Sequence, residues 1–455
     1  MDPATEEVLG HIPVATPADL DDALNAASGA ARSWAATPGW ERSSIMRLLV
    51  AELIGRRDRI AEMMSAETGK PLGEARGESQ AAIEQFDWYA DEARRIYGHT
   101  LDGRDPAVRL HVRYQPIGPV AAFSAWNFPA LLPARKIAAA LAAGCPIIIK
   151  PSEEAPASAL LMAEAAKAAG LPEGVLNVVT GDAATIAAHL VASPIIRKVS
   201  LTGSVPVGKH ILKLCADGVK RVSMELGGHA PVIVFPDADP VTVAELCVRT
   251  KFRNAGQVCI SPSRFYVHSS IYEPFAKKMS ELASQLRLGH GLDGHFDVGP
   301  MANRRGRERI MRLVEDARER GAELLTGGRI PPSRNSGFFF EPTVLGRVSD
   351  DAAIMNEEPF GPVAPIAPFE GFDEVITRAN ALPYGLAAYV FTSSIAVATR
   401  ASEALEAGMV GVNDMLLAAA EAPFGGVKES GFGREGGQLG ILEYLEPKYT
   451  KMRIF

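Results

Sequence analysis

A chain of 455 residues is longer than one compact core accommodates, so two or three domains are expected. Apolar residues at 47% and charged ones at 22% are those of an ordinary globular protein. The net charge of −7 provides no basic footprint for nucleic acid, and no block of one charge sign marks an interaction tail.

The first hundred residues predict helices. "ATPADLDDALNAASGAARSWAA" opens with Thr16 as a cap, Pro17 at the first helical position and Asp19 as an early acid. Further amphipathic segments follow between Arg42 and Tyr97. After Asp105, "VRLHVRYQPIGPVAAFSAW" alternates and then becomes continuously apolar, which predicts an exposed antiparallel pair leading into a buried strand. Beyond it, "ARKIAAALAAG" is a helix closed by Gly144, and "PIIIK" a strand. "SALLMAEAAKAAG" is a helix, "VLNVVTG" and "KVSLTG" are strands, and "VGKHILKLCA" is a helix. Strands separated by helices of this length predict parallel βαβ units. A second region of the same type, from Pro231 to about Gly437, holds Cys259, and "ILEYLEPKYTKMRIF" ends in a candidate edge strand.

Cys145, Cys215, Cys247 and Cys259 form no C-x-x-C pair and no metal-ligand spacing, so neither a disulfide framework nor a metal site is expected. "MDPATEEVLG" lacks the basic start and apolar stretch of a secretory signal. The most apolar run, 137–149, contains Gly144 and Pro146 and is too short to span a bilayer. A cytoplasmic location without membrane contact is expected.

Several short motifs each admit a chemical and a plain structural reading. In "FRNAGQVCIS", Cys259 is either a buried thiol or a nucleophile. "WNFP" places Asn127 after an apolar strand, as an oxyanion donor or an Asx turn. "MELGGH" places Glu225 at the end of another apolar run, as a base in apolar surroundings or a surface acid before a turn. "LTGSVPVGK" puts Gly203 and Ser204 at a helix start, as a pyrophosphate site or a plain turn. "IIIKPSEE" puts Lys150 and Glu153 past a strand end, as ribose contacts or a solvated pair. "GFGREG" fits G-x-G-x-x-G from Gly431 to Gly436, but no acid follows at the required distance, so it is taken as a glycine-rich loop.

Taken together, "WNFP", "KPSE", "TGS", "ELGG", "GQVC", "EEPFGP" and "PFGGVKESGFGRE", in this order from Trp126 to Glu435, resemble the NAD(P)-dependent aldehyde dehydrogenases. The resemblance implies an α/β fold: a Rossmann-like cofactor domain (1–104 and 119–227), an α/β catalytic domain (228–440) and a small β oligomerisation region (105–118 and 441–455). It implies Cys259 as nucleophile, forming a hemithioacetal and then a thioester. Asn127 would hold the oxyanion, and Glu225 would activate the hydrolytic water. Cofactor contacts would come from Trp126, Lys150, Glu153, Gly203, Ser204, Glu358 and Phe360. Glu153 would repel a 2′-phosphate, favouring NAD with NADP as the alternative. Retention of Glu225 favours release of a free acid over acyl transfer to coenzyme A. A homodimer or homotetramer is implied.

Arg135 and Arg253 match the two arginines of the succinate-semialdehyde dehydrogenase branch, with Phe128 beside them on the substrate side. Planar guanidinium forks suit a carboxylate, so a carboxylate-bearing aldehyde is expected; pairing of either arginine with a protein acid is the plain reading. The alternatives are uncharged or aromatic aldehydes, or a catalytically silent protein. Three departures stand out. "NDMLLAAAEAP" has Ala418 and Ala419 where that branch places a serine, leaving room for a longer or bulkier acid-bearing aldehyde. "CIS" lacks a second cysteine near the nucleophile. The chain also starts about where the family's "NPAT"-like segment falls, without the usual preceding strand pair.

Overall fold

The computed structural model describes residues 1–334 and 336–455. Helices Pro17–Ala36, Gly39–Thr68 and Leu72–Glu92 form where amphipathic spacing predicts them. The first has a full capping box. The Thr16 hydroxyl accepts from the Asp19 amide, and the Asp19 carboxylate accepts from the Thr16 amide at 2.8 Å.

The first sheet runs Gly431–Phe432, Arg221–Glu225, Lys198–Thr202, Val120–Phe123, Ile147–Lys150, Leu176–Val178, parallel except at its first strand. Its central strands Val120–Phe123 and, up to Lys150, Ile147–Lys150 are continuously apolar because both faces are covered. Val120, Ala122, Ile147 and Ile149 pack among helices Gly39–Thr68, Leu72–Glu92 and Leu131–Ala143. The intervening Ala121, Phe123 and Ile148 face helices Pro17–Ala36, Ala183–Ala192 and Val205–Ala216. Register aligns the carboxyl ends: Phe123 pairs with both Lys150 and Leu201, and Thr202 pairs with Glu225. Ligands bind at this edge in open α/β sheets.

The second sheet runs Glu323–Thr326, Thr343–Gly346, Val363–Phe369, Pro262–His268, Ala230–Val234, Ala387–Phe391, Met409–Val412. Helices Pro240–Lys251 and Tyr272–Ser284 cover one face, and Arg304–Glu319 and Phe372–Asn380 the other. The third sheet joins His99–Asp102, Val108–Pro116 and Leu445–Arg453, all antiparallel.

Two segments lie elsewhere than the expected boundaries put them. His99–Asp102 pairs with Val108–Pro116, so the small sheet begins before residue 105. Gly431–Phe432, expected with the catalytic domain, is the antiparallel edge of the first sheet, opposite Glu225 and Met224. Gly431 has φ +108, and a Cβ there would collide with the Met224 carbonyl, so only glycine permits this approach. Its "GFGREG" run leads into a six-residue helix, Gly437–Leu442, and serves as a packing loop. Among the described residues, no helix is long and apolar enough to cross a membrane.

Candidate active site

The segment carrying Cys259 leaves helix Pro240–Lys251 through a tight turn, Arg253–Gly256. Asn254, Ala255 and Gly256 are all left-handed, with φ of 49°, 52° and 72°. A left-handed non-glycine residue costs about 1–2 kcal/mol, so the surroundings must hold this turn. They do: Glu74 Oε2 accepts from the Asn254 amide at 2.8 Å, and Gln257 Oε1 from the Ala302 amide at 2.9 Å. Beyond the cysteine, the Tyr389 hydroxyl donates to the Ile260 carbonyl at 2.7 Å. The thiol is thereby fixed from both sides.

Two cavities meet at this segment. The larger, of about 360 Å³, is lined by Trp126, Asn127, Gly203, Ser204, Glu225, Cys259, Glu358 and Phe360. That volume lies in the range of small-molecule sites. The smaller, of about 110 Å³, is lined by Arg135, Arg253, Met415 and Ala418 to Ala420, with Val258 and Ile260 flanking the cysteine.

In the larger cavity, Ser204 is the N-cap of the twelve-residue helix Val205–Ala216, yet its side chain makes no capping bond. Free helix amides and an uncommitted hydroxyl suit a pyrophosphate. Trp126 and Phe360 meet edge to face, with centroids 5.6 Å apart, and Phe360 sits at φ +48. Glu358 Oε1 accepts from the Gly228 amide at 3.3 Å. Arg305 and Arg309 also line this cavity, which sequence reading missed because they lie on a helix far along the chain with no motif around them. A dinucleotide fits this combination of helix terminus, aromatic walls and acid.

Glu225 is 4% exposed, and neither of its carboxylate oxygens has a hydrogen-bond partner. Burial, and then the charge of Glu435, push its pKa up to about 7, against opposing pulls from Arg135 and Lys136. A surface acid before a turn is therefore not what the fold builds. Burial and Glu225 raise the Cys259 thiol well above its ordinary value, while Arg135 opposes them. The other three cysteines are buried, with burial pushing Cys145 and Cys215 up to about 11 and Cys247 higher still. Only Cys259 reaches a cavity half-buried, as a reacting thiol must.

Asn127 is not a helix cap. Its Nδ2 donates to the Gln257 carbonyl at 3.2 Å, which leaves the second amide hydrogen uncommitted. Glu78 caps the helix instead: its Oε1 accepts from the amides of Ala130 and Leu131 at 2.9 and 3.2 Å. Lys70, ion-paired with Glu78, donates to the Asn127 carbonyl at 2.8 Å. This buried clamp had no sequence signal, since Lys70 lies 57 residues before Asn127 and Glu78 lies 52 before Ala130.

Lys150 and Glu153 do not line the larger cavity. They stand farther along the same sheet edge as an ion pair at 2.5 Å, the lysine buried and Glu153 half-exposed. Phe128 lines neither cavity: it packs with Leu131, Leu132 and Val258, and Arg253 lies over its ring at 5.2 Å. Arg135 and Lys136 are adjacent on one buried helix but differ in partners. Lys136 pairs with Glu435, whereas Arg135 has no ion pair among the described residues, a buried unpartnered Nε, and Phe424 4.0 Å away. Arg253 likewise makes no ion pair among the described residues.

A family model described as "Aldehyde dehydrogenase family" matches residues 1–450. The chain is 43% identical over 447 residues to a glutarate-semialdehyde dehydrogenase of Pseudomonas putida, covering 98% of this chain and 92% of that one. It is 42% identical over the same length to an NADP(+)-linked succinate-semialdehyde dehydrogenase of Escherichia coli, with the same coverage. Among solved structures, a succinate-semialdehyde dehydrogenase from Burkholderia pseudomallei superposes with a TM-score of 0.98 at 43% identity. That match covers 100% of this chain and 94% of that one.

Proposed function

The chain belongs to the aldehyde dehydrogenase family, and on that premise we propose that it oxidises a carboxylate-bearing aldehyde to the free acid through an acyl-enzyme on Cys259. The enzyme is an NAD(P)-dependent oxidoreductase; a bound nicotinamide dinucleotide supplies the hydride acceptor. Cys259 attacks the aldehyde carbon as thiolate, and the Asn127 amide with the Cys259 backbone N–H steadies the resulting oxyanion. Hydride loss leaves a thioester. Glu225 takes a proton from water, the hydroxide adds to the thioester carbon, and the C–S bond breaks to give acid and thiolate. Ser204 and Gly203 would hold the pyrophosphate, Glu358 and Phe360 the nicotinamide ribose with Trp126 beside them, and Lys150 and Glu153 the adenosine ribose. Half-exposed Glu153 would disfavour a 2′-phosphate and so favour NAD.

One observation carries the substrate class: Arg135 and Arg253, neither of them in an ion pair among the described residues, line the cavity that Val258 and Ile260 flank on either side of Cys259, where Glu84 is the one acid. A buried guanidinium is costly unless an anion compensates it. The two relatives named for glutarate and succinate semialdehydes support the same class. Initial rates with succinate semialdehyde, glutarate semialdehyde and hexanal, each with NAD and with NADP, test the reading. Both acids are expected to exceed hexanal, and NAD to exceed NADP. Arg135→Leu and Arg253→Leu are each expected to lower kcat/KM for the acids about 30-fold or more. Hexanal as the preferred substrate of the parent enzyme would refute the anionic pocket.

We also infer self-association through the three-stranded sheet. Its outer strand Leu445–Arg453 is exposed from Pro447 onward, with Tyr449 and Met452 uncovered. An exposed edge of this length is a template for another chain. Light scattering should give at least twice the chain mass, and Met452→Lys with Tyr449→Lys should lower it. A monomeric parent would contradict this inference.

A further inference from the structure

We propose that Arg305 is a further cofactor-binding residue, whose guanidinium grips the pyrophosphate of the nicotinamide dinucleotide from the catalytic-domain wall of the larger cavity. This rests on the reading of that cavity as the cofactor site.

Helix Arg304–Glu319 carries six arginines, and five of them have partners. Arg304 pairs with Glu6 at 2.9 Å and Arg318 with Glu315 at 3.0 Å. Arg309 and Arg312 share Glu357 at 3.7 and 3.1 Å, and Arg307 donates to the Gly337 carbonyl at 2.7 Å. Arg305 is the sixth. It lines the cavity, and among the described residues it makes neither an ion pair nor a side-chain hydrogen bond. Both edges of its guanidinium are uncommitted.

Its place along the cavity follows from its helix neighbours. Arg309, one turn further on, reaches Glu357, next to Glu358 at the nicotinamide-ribose end. Asn303 caps the helix at the other end, and its Nδ2 donates to Glu154 Oε1 at 3.3 Å. Glu154 follows Glu153, assigned above to the adenosine ribose. The helix therefore runs along the dinucleotide, with Arg305 between its two riboses. Four helical residues rise about 6 Å, close to the step from a ribose to the pyrophosphate.

Ser204 reaches the same cavity from the first sheet, at the start of helix Val205–Ala216. A hydroxyl and backbone amides bond a pyrophosphate but bring no full positive charge to its two negative ones. The acids of this cavity, Glu225 and Glu358, cannot supply it either. Arginine's planar fork can, and it meets two phosphate oxygens at once.

The test measures binding rather than turnover, in the parent, Arg305→Leu and Arg305→Lys. The probe is NADH or NADPH, whichever the parent binds more tightly, followed by its fluorescence. ADP-ribose, which keeps the pyrophosphate, and adenosine, which lacks it, are measured by displacing that probe. Arg305→Leu is expected to weaken the probe and ADP-ribose at least about tenfold, the loss of a charge-assisted hydrogen bond, and to leave adenosine unchanged. Lysine should recover part of the loss. Raising the ionic strength should narrow the gap between parent and leucine variant, because the cavity is open to solvent ions. Tm should not move, since the side chain holds nothing in the protein. Equal binding of ADP-ribose by parent and leucine variant would overturn the proposal, as would an equal weakening of adenosine. Failure of the parent to bind either reduced dinucleotide would instead overturn the cofactor reading of the cavity.

Discussion

Cys259→Ala is expected to abolish NADH formation, lowering kcat about ten-thousand-fold or more while leaving the protein folded. The reaction needs a sulfur that bonds the aldehyde carbon and later leaves it, and no other thiol can substitute. Cys145, Cys215 and Cys247 are buried, with pKa values raised by burial. Removing a nucleophile of this kind removes nearly all of the chemistry. Because Cys259 stands half-buried at a cavity wall, truncation opens little new void and Tm should shift by only a few degrees. Stopped-flow absorbance of NADH checks the rate, and a thermal melt checks the fold. Undiminished turnover in the variant would refute covalent catalysis at this residue.

Glu225→Gln is expected to separate the two halves of the reaction. Acylation requires no base at this position, so a first burst of NADH of about one per active site should remain. Steady turnover should fall about a hundredfold or more, the usual contribution of a positioned general base. The parent's kcat should rise with pH through about 7, because burial has raised the Glu225 pKa to that value and only the carboxylate can accept a proton. The variant should lose that rising limb. Stability moves the other way. The fold favours the protonated carboxyl, so its contribution is full below the ordinary value of 4.5 and is lost as pH rises through about 7. Above pH 7 the glutamine variant should therefore melt at a higher temperature than the parent. Loss of the burst itself would assign Glu225 to thiol activation.

What the sequence made legible was whatever depends on neighbours along the chain. Capping at Thr16, the buried strands 120–123 and 147–150, and the closure of a helix at Gly144 follow from local pattern, and the structure contains them. The ordered motifs put Asn127, Glu225 and Cys259 on one reaction path, and all three line a single cavity. What escaped was assembled by distance. Gly431–Phe432 crosses back to pair beside Glu225, and no local signal tells a two-residue edge strand from a loop. Glu78 reaches across to cap the helix that begins at Leu131, a role local patterns assign to Asn127. Phe128, expected on the substrate side, packs with Leu131, Leu132 and Val258 beneath Arg253.

Mass spectrometry of the Glu225→Gln enzyme, quenched seconds after mixing with NAD and succinate semialdehyde, most directly tests whether the acyl group is carried by Cys259. The peptide spanning 252–267 should gain the mass of one succinyl group, in step with the NADH burst. A burst with that peptide unmodified, or an adduct on another residue, would contradict the account.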